Sequence, residues 1–131
     1  MLGLGHDVVD VPAFAKQLNE PGTRMRNLFS MREIWQTAQR SQLKHDDEAV
    51  HLAARWAGKE AFLKAAGTGL REPFALREIE AVRLESGAPA YRFSGATARW
   101  VADHGLTAHL SLSHDGGMAL AFCILETAPE T

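Results

Sequence analysis

The sequence holds a single cysteine, Cys123, so no internal disulfide can form. Cys123 sits within the apolar run Met118 to Leu125 and reads as a buried core thiol rather than a nucleophile. One unpaired cysteine fits a reducing compartment. No apolar run approaches the ~20 residues that a membrane span needs. No basic leader is present, and the start meets an acid at Asp7, too early for a signal peptide. These absences predict a soluble, cytoplasmic protein. A basic excess is also missing: the net charge of -2 excludes a general nucleic-acid binder, so any anion site must be built locally. The phosphate-loop pattern G-x-x-x-x-G-K-[ST] does not occur. His6, His45, His51 and His104 have neither zinc-site spacing nor cysteine partners, which discounts zinc.

What is there is a chain of 131 residues, long enough for one domain spanning 1–131. Such a chain buries roughly two-thirds of its unfolded surface without disulfides. Leu2 to Val11 predicts a strand ended by Pro12. Ala13 to Asn19 predicts a short helix broken at Pro21-Gly22. Ser30 and Glu33 form a capping box for a helix from Met31 to about Arg40, with Ser41 to Asp46 as a polar connection. Asp46 or Asp47 caps a long helix whose apolar positions follow a helical period and which stops at Gly67. Ile79 to Leu84 and Tyr91 to Phe93 predict strands, Thr97 to His104 a helix. Thr107 to Ser113 and Met118 to Leu125 predict two strands joined by the hairpin His114 to Gly117. The tail from Glu126 to Thr131 reads as frayed. The class is α+β: a mixed, mostly antiparallel sheet packed on one long helix and several short ones.

Three polar clusters interrupt this pattern. On the long helix, Trp56, Glu60, Leu63 and Lys64 share a face. Taken alone, Glu60 and Lys64 make a surface pair worth a few tenths of a kcal/mol. The flanking Trp56 and Leu63 point the other way, because a carboxylate on a packed face is costly unless paired or metal-bound. Asp7 lies within the first strand, either at a wet edge or as a metal ligand. Mg²⁺ takes one or two carboxylates and completes its shell with water and phosphate oxygens, so Asp7 and Glu60 would suffice if they met. His114 ends a strand in which Ser111 and Ser113 share the face of His109, offering hydroxyls and imidazole to a phosphate, unless it is merely exposed. Gly67-Thr68-Gly69 follows a helix C-terminus, where the dipole disfavours anions, so it is either a plain stop or a close-approach turn.

Together these clusters resemble the holo-acyl-carrier-protein synthases, the small trimeric class of 4′-phosphopantetheinyl transferases. The likeness rests on Gly5-His6-Asp7-Val8-Val9-Asp10, on Arg55 through Lys59-Glu60-Ala61 and Lys64 to Gly67-Thr68-Gly69, and on Ser111 to His114. It spans nearly the whole chain, and the middle motif is the specific one. Two departures are His6, where a small or aliphatic residue is usual, and Gly58, where alanine is usual; glycine loosens a helix.

The resemblance implies a reaction. Coenzyme A gives its phosphopantetheine arm to a serine of an apo acyl carrier protein, in fatty acid biosynthesis, and adenosine 3′,5′-bisphosphate leaves. It also implies roles. Asp7 and Glu60 would hold Mg²⁺ on the pyrophosphate, and Lys64 would neutralise the attacked phosphate. Ser113, His114 and the Gly67-Thr68-Gly69 turn would hold the nucleotide end of coenzyme A, with Arg55 and Lys59 as further phosphate contacts. A metal-bound water or hydroxide and Glu60 both qualify as acceptor of the serine proton. The family assembles as homotrimers with active sites between subunits. Carrier proteins are acidic, so Lys16, Arg24, Arg26 and Arg32, interleaved with Met25, Leu28 and Phe29, form the expected docking surface. Two rival readings remain, a coenzyme A-binding module without transfer and a purely structural protein; neither needs the Asp7–Glu60 pair.

Overall fold

A computed structural model describes residues 3–127. The chain runs β1 (Gly3–Asp10), α1 (Val11–Leu18), α2 (Met31–Lys44), α3 (Glu48–Ala66), β2 (Ile79–Arg83), β3 (Pro89–Phe93), α4 (Gly95–Asp103), β4 (Leu106–Asp115) and β5 (Met118–Thr127). Short 3₁₀ turns at Met25–Leu28 and Leu76–Glu78 punctuate it. The α+β class holds. Among the described residues every strand pair is antiparallel, and the strands form two sheets: β1-β5-β4 and β2-β3. Leu2 and residues 128–131, assigned above to the first strand and the tail, lie outside the described residues.

The long helix α3 is the axis of the fold. The Asp47 carboxylate accepts from the Ala49 N–H at its start, and Gly67 ends it at a φ of 79°. Its alanines let neighbours approach closely. An added Cβ at Gly5 would lie 2.0 Å from the Ala61 carbonyl oxygen, and one at Gly3 2.0 Å from that of Ala65. Glycine at both positions therefore lays β1 flat on the C-terminal half of α3. Phe62, Phe74, Ile79 and Leu125 build one core cluster around this helix, and Phe14, Leu18, Phe29 and Leu52 another. No helix among the described residues is long and apolar enough to cross a membrane.

Both bonds of the predicted capping box are present at Ser30 and Glu33. The helix it starts continues to Lys44 rather than Arg40, because nothing in residues 41–44 breaks it. The stop comes at His45, which adopts a left-handed φ of 55°. The β4–β5 hairpin is tighter than predicted. Gly116 and Gly117 take φ of 57° and 78°, and Asp115 pairs with Met118. A two-residue turn with both φ positive matches strand twist, so His114 and Asp115 belong to the strand.

Candidate active site

Glycine-mediated contact between β1 and α3 brings Asp7 beside Glu60 and Lys64. The three line one cavity of about 390 Å³, with Asp10, Phe14 and Trp56 on its wall. Lys64 Nζ donates to Asp7 Oδ1 at 2.8 Å. The surface pair Glu60–Lys64 expected from helix spacing is therefore replaced by a bond between helix and strand. Asp7 sits in an edge strand but faces the helix, not open water; 16% of its side chain is exposed. Partial burial raises the pKa of Glu60, the charge of Asp7 raises it further, and Lys64 opposes both. Two carboxylates that repel each other in a half-open cavity form a site that a divalent cation relieves. Among the described residues no three or more of His, Cys, Asp and Glu gather about one point. Asp7 and Glu60 thus fit Mg²⁺, which needs few protein ligands when phosphate supplies the rest.

Lys59 belongs elsewhere, against its expected role as a phosphate contact. Its ammonium is fully buried and donates to Glu33 Oε1 at 2.6 Å, Leu76 O at 2.8 Å and Ile79 O at 2.7 Å. An ammonium has three protons, and all are spent inside the protein. Glu33 also accepts from the backbone of Ser30 and Ala81, so the pair pins α2 to α3 and β2. Desolvation pulls Glu33 up and Lys59 down towards their neutral forms, and their mutual attraction resists it.

Arg55 is also buried, yet it is not spent. Its Nη1 donates to the His51 carbonyl at 3.3 Å, while Nε and Nη2 have no partner. Burial and the cations Arg83 and Arg40 lower its pKa to about 10. Arg40 and Arg83 line a second cavity with it.

The C-terminal strand residues separate. Ser113 lies on the outer sheet face with His109 and Ser111, as alternation predicts. His114 falls on the opposite side of the strand, its ring 6.1 Å from that of His51 near the start of α3. Gly67-Thr68-Gly69 sits at the other end of α3. His51 and Gly67 are 67 − 51 = 16 residues apart, about 24 Å along a helix axis. Within one chain, then, His114 and the glycine turn do not share a site. His6 faces outward and stacks on Phe122, with ring centroids 5.9 Å apart. It makes no hydrogen bond to Asp7 among the described residues.

The profile of the 4′-phosphopantetheinyl transferase superfamily matches residues 3–123. The chain belongs to this superfamily. It is 56% identical to the holo-[acyl-carrier-protein] synthase of Bifidobacterium adolescentis, over 96% of this chain and 99% of that one. It is 39% identical to the synthase of Mycobacterium tuberculosis (strain ATCC 25618 / H37Rv), over 96% and 97%. The ACPS–coenzyme A complex from Chronobacterium ammoniagenes superposes with a TM-score of 0.82 at 34% identity, covering 96% of this chain and 97% of that one. The Neisseria meningitidis synthase gives 0.85 at 27% identity, covering 97% and 99%.

The basic residues expected to dock a carrier are partly engaged. Lys16, Arg24, Arg26 and Arg32 are all exposed, but Arg26 is bonded to Glu48. Phe29, expected to interleave with them, is instead buried in the core at 2% exposure. Arg40 and Arg83 escaped the sequence reading. Arg40 sits on a polar helix face and Arg83 at a strand end, and no spacing links either to Arg55.

Proposed function

We propose that this chain transfers the 4′-phosphopantetheine arm of coenzyme A to a serine of an apo acyl carrier protein or carrier domain. The observation that carries the proposal is the meeting of Asp7, Glu60 and Lys64 in one cavity, from two elements far apart in sequence. A coenzyme A binder without chemistry has no use for two facing carboxylates.

Asp7 and Glu60 would hold Mg²⁺, which neutralises pyrophosphate charge when bound. The chain's own part is positioning and charge. Lys64 is half exposed and held only by Asp7, so its ammonium is free to turn to the phosphate under attack. Trp56 and Phe14 form the apolar wall of the cavity. As the serine oxygen forms its bond to phosphorus, its proton passes to a base such as the Glu60 carboxylate, and the bond from phosphorus to the leaving adenosine 3′,5′-bisphosphate breaks, the bisphosphate oxygen keeping the electron pair. A carrier must reach this cavity past α1, whose Ala13 and Gln17 line its rim, and Lys16 stands beside them. That supports Lys16 as part of a basic docking surface for an acidic partner, to which the exposed Arg24 and Arg32 would also belong.

The active unit would be a homotrimer of single-domain chains with sites between subunits. The separation of His114 from Gly67-Thr68-Gly69 supports this, since two copies can bring together what one holds apart. So does the outer face of the three-stranded sheet, where Leu4, Val8, Phe122 and Ile124 are exposed at 39% or more. Placement in the cytoplasm and a role in fatty acid biosynthesis complete the reading. Intact-mass measurement of an apo carrier protein, incubated with coenzyme A, Mg²⁺ and the chain, tests it. A gain of one phosphopantetheine supports transfer; an unchanged mass refutes it.

A further inference from the structure

His51 is a buried titratable group that the transfer chemistry does not use. It stands in the first turn of α3 with 3% of its side chain exposed, between Ala49, Leu52 and Ala53. An apolar side chain would be cheaper there. Its Nε2 meets Asp46 Oδ1 at 2.7 Å, the one hydrogen bond of either side chain among the described residues. Burial lowers the pKa of His51, Asp46 opposes that, and Arg55 and His114 add to it. The ring is therefore neutral and donates to the carboxylate. Asp46 is itself held by a strained turn. His45, just before it, takes a left-handed φ of 55°. The Asp46 N–H donates to the Ser41 carbonyl at 3.2 Å, and the Asp46 carbonyl accepts from the Ser41 hydroxyl. A left-handed residue other than glycine persists only where its surroundings hold it, and such strain gathers at functional sites. On its other side the His51 ring meets that of His114 edge to face, with centroids 6.1 Å apart at 87°. That separation lies within the range where such pairs attract. His114 is exposed and lines a cavity of about 300 Å³ with Val11, Val50 and Met118.

We propose that Asp46 and His51 form a positioning pair for His114. Asp46 fixes the His51 ring, and the fixed ring sets the orientation of the His114 imidazole at the end of its strand. Neither member of the pair lines the cavity of Asp7, Glu60 and Lys64, so neither acts on the reacting atoms. What the placement serves rests on the reaction proposed above, with His114 at the nucleotide end of coenzyme A. The pair then governs how tightly coenzyme A is held and leaves the transfer step alone.

Calorimetry with coenzyme A on the full chain tests this as a double-mutant cycle against His114→Ala. His51→Leu and Asp46→Ala should each weaken coenzyme A binding about three- to tenfold, the scale of one edge-to-face contact. In the His114→Ala chain the same substitutions should change affinity no further. Steady-state kinetics should split the same way: the KM for coenzyme A rises in both variants, while kcat and the KM for the carrier stay as they were. Unaltered coenzyme A affinity in the otherwise native chain overturns the proposal. An equal loss in the His114→Ala chain also overturns it, because the pair then only supports the fold. If His51→Leu does not fold, Asp46→Ala carries the test, since that side chain is 31% exposed and bonds only to His51 among the described residues. Failure here is separable from failure of the transferase reading. A chain that transfers phosphopantetheine without coupling between positions 51 and 114 keeps its function and loses this pair. One that shows the coupling in coenzyme A binding but transfers nothing does the reverse.

Discussion

Lys64 and Asp7 are joined by a 2.8 Å bond between the last turn of α3 and the middle of β1. Glu60, one turn earlier on the same helix, makes no hydrogen bond among the described residues. The cation thus holds the Asp7 carboxylate and leaves that of Glu60 for a ligand.

Asp7→Ala and Glu60→Ala should each lower transfer by about 100-fold or more, the usual scale for losing one charge-stabilising group at a reacting phosphate or carbonyl. Thermal melting should move little, because neither carboxylate supports the core. Full activity of both variants at low Mg²⁺ contradicts the metal assignment.

Acidification should weaken metal binding earlier than for an ordinary carboxylate pair. Glu60 has a raised pKa, from burial first and Asp7 second, so it takes a proton at higher pH than a free glutamate. Only the carboxylate binds the ion, so affinity falls as pH drops through that raised pKa. The ion in turn should lower it. Carboxyl-carbon NMR titration of Glu60 with and without Mg²⁺ reads both effects; a value unmoved by Mg²⁺ contradicts the site. For stability the sign is opposite. A raised folded pKa contributes below the unfolded pKa, and that contribution is lost as pH rises through the folded one.

Lys59→Met should destabilise the chain by about 3–5 kcal/mol, since it strands Glu33 as an uncompensated buried charge. Urea unfolding measures this. A shift under about 1 kcal/mol, the scale of a surface pair, is the result that contradicts a buried structural role.

Gly5→Ala forces a methyl to within 2.0 Å of the Ala61 carbonyl oxygen, and that atom is backbone and cannot swing away. β1 must lift from α3, carrying Asp7 away from Glu60. Activity and melting temperature should fall together. A variant with normal stability and normal transfer shows that the close packing is not what aligns the carboxylates.

The class, the order of elements and the stop at Gly67 were legible because caps, glycines and apolar periodicity are local signals. Asp7, Glu60 and Lys64 were legible as candidates from residue type and motif resemblance. Their partnership was not, because helix spacing favours Glu60 with Lys64 and says nothing of a strand 57 residues away in sequence. Lys59 failed for a related reason: it lies next to Glu60 in the chain, but one step along a helix turns it about 100° into the core. Arg40 and Arg83 carry no sequence signal, since only the fold brings them to Arg55.

Charge reversal at Lys16, Arg24 and Arg32 should raise the KM for an acidic carrier protein with little change in kcat. Arg26→Glu should do less, because Glu48 already holds that guanidinium. Steady-state kinetics against a carrier separates the two sets. Equal KM for all variants places the docking surface elsewhere.

The central claim is that Asp7, Glu60 and Lys64 together drive phosphopantetheine transfer. Its most direct test is one incubation of coenzyme A and Mg²⁺ with an apo carrier protein. Wild-type and Glu60→Ala chains are run side by side and read by intact mass and by released adenosine 3′,5′-bisphosphate. The wild type should add one phosphopantetheine per carrier serine and release an equal amount of bisphosphate, while Glu60→Ala does neither on the same timescale. An unmodified carrier with the wild type, or equal modification by both chains, contradicts the account.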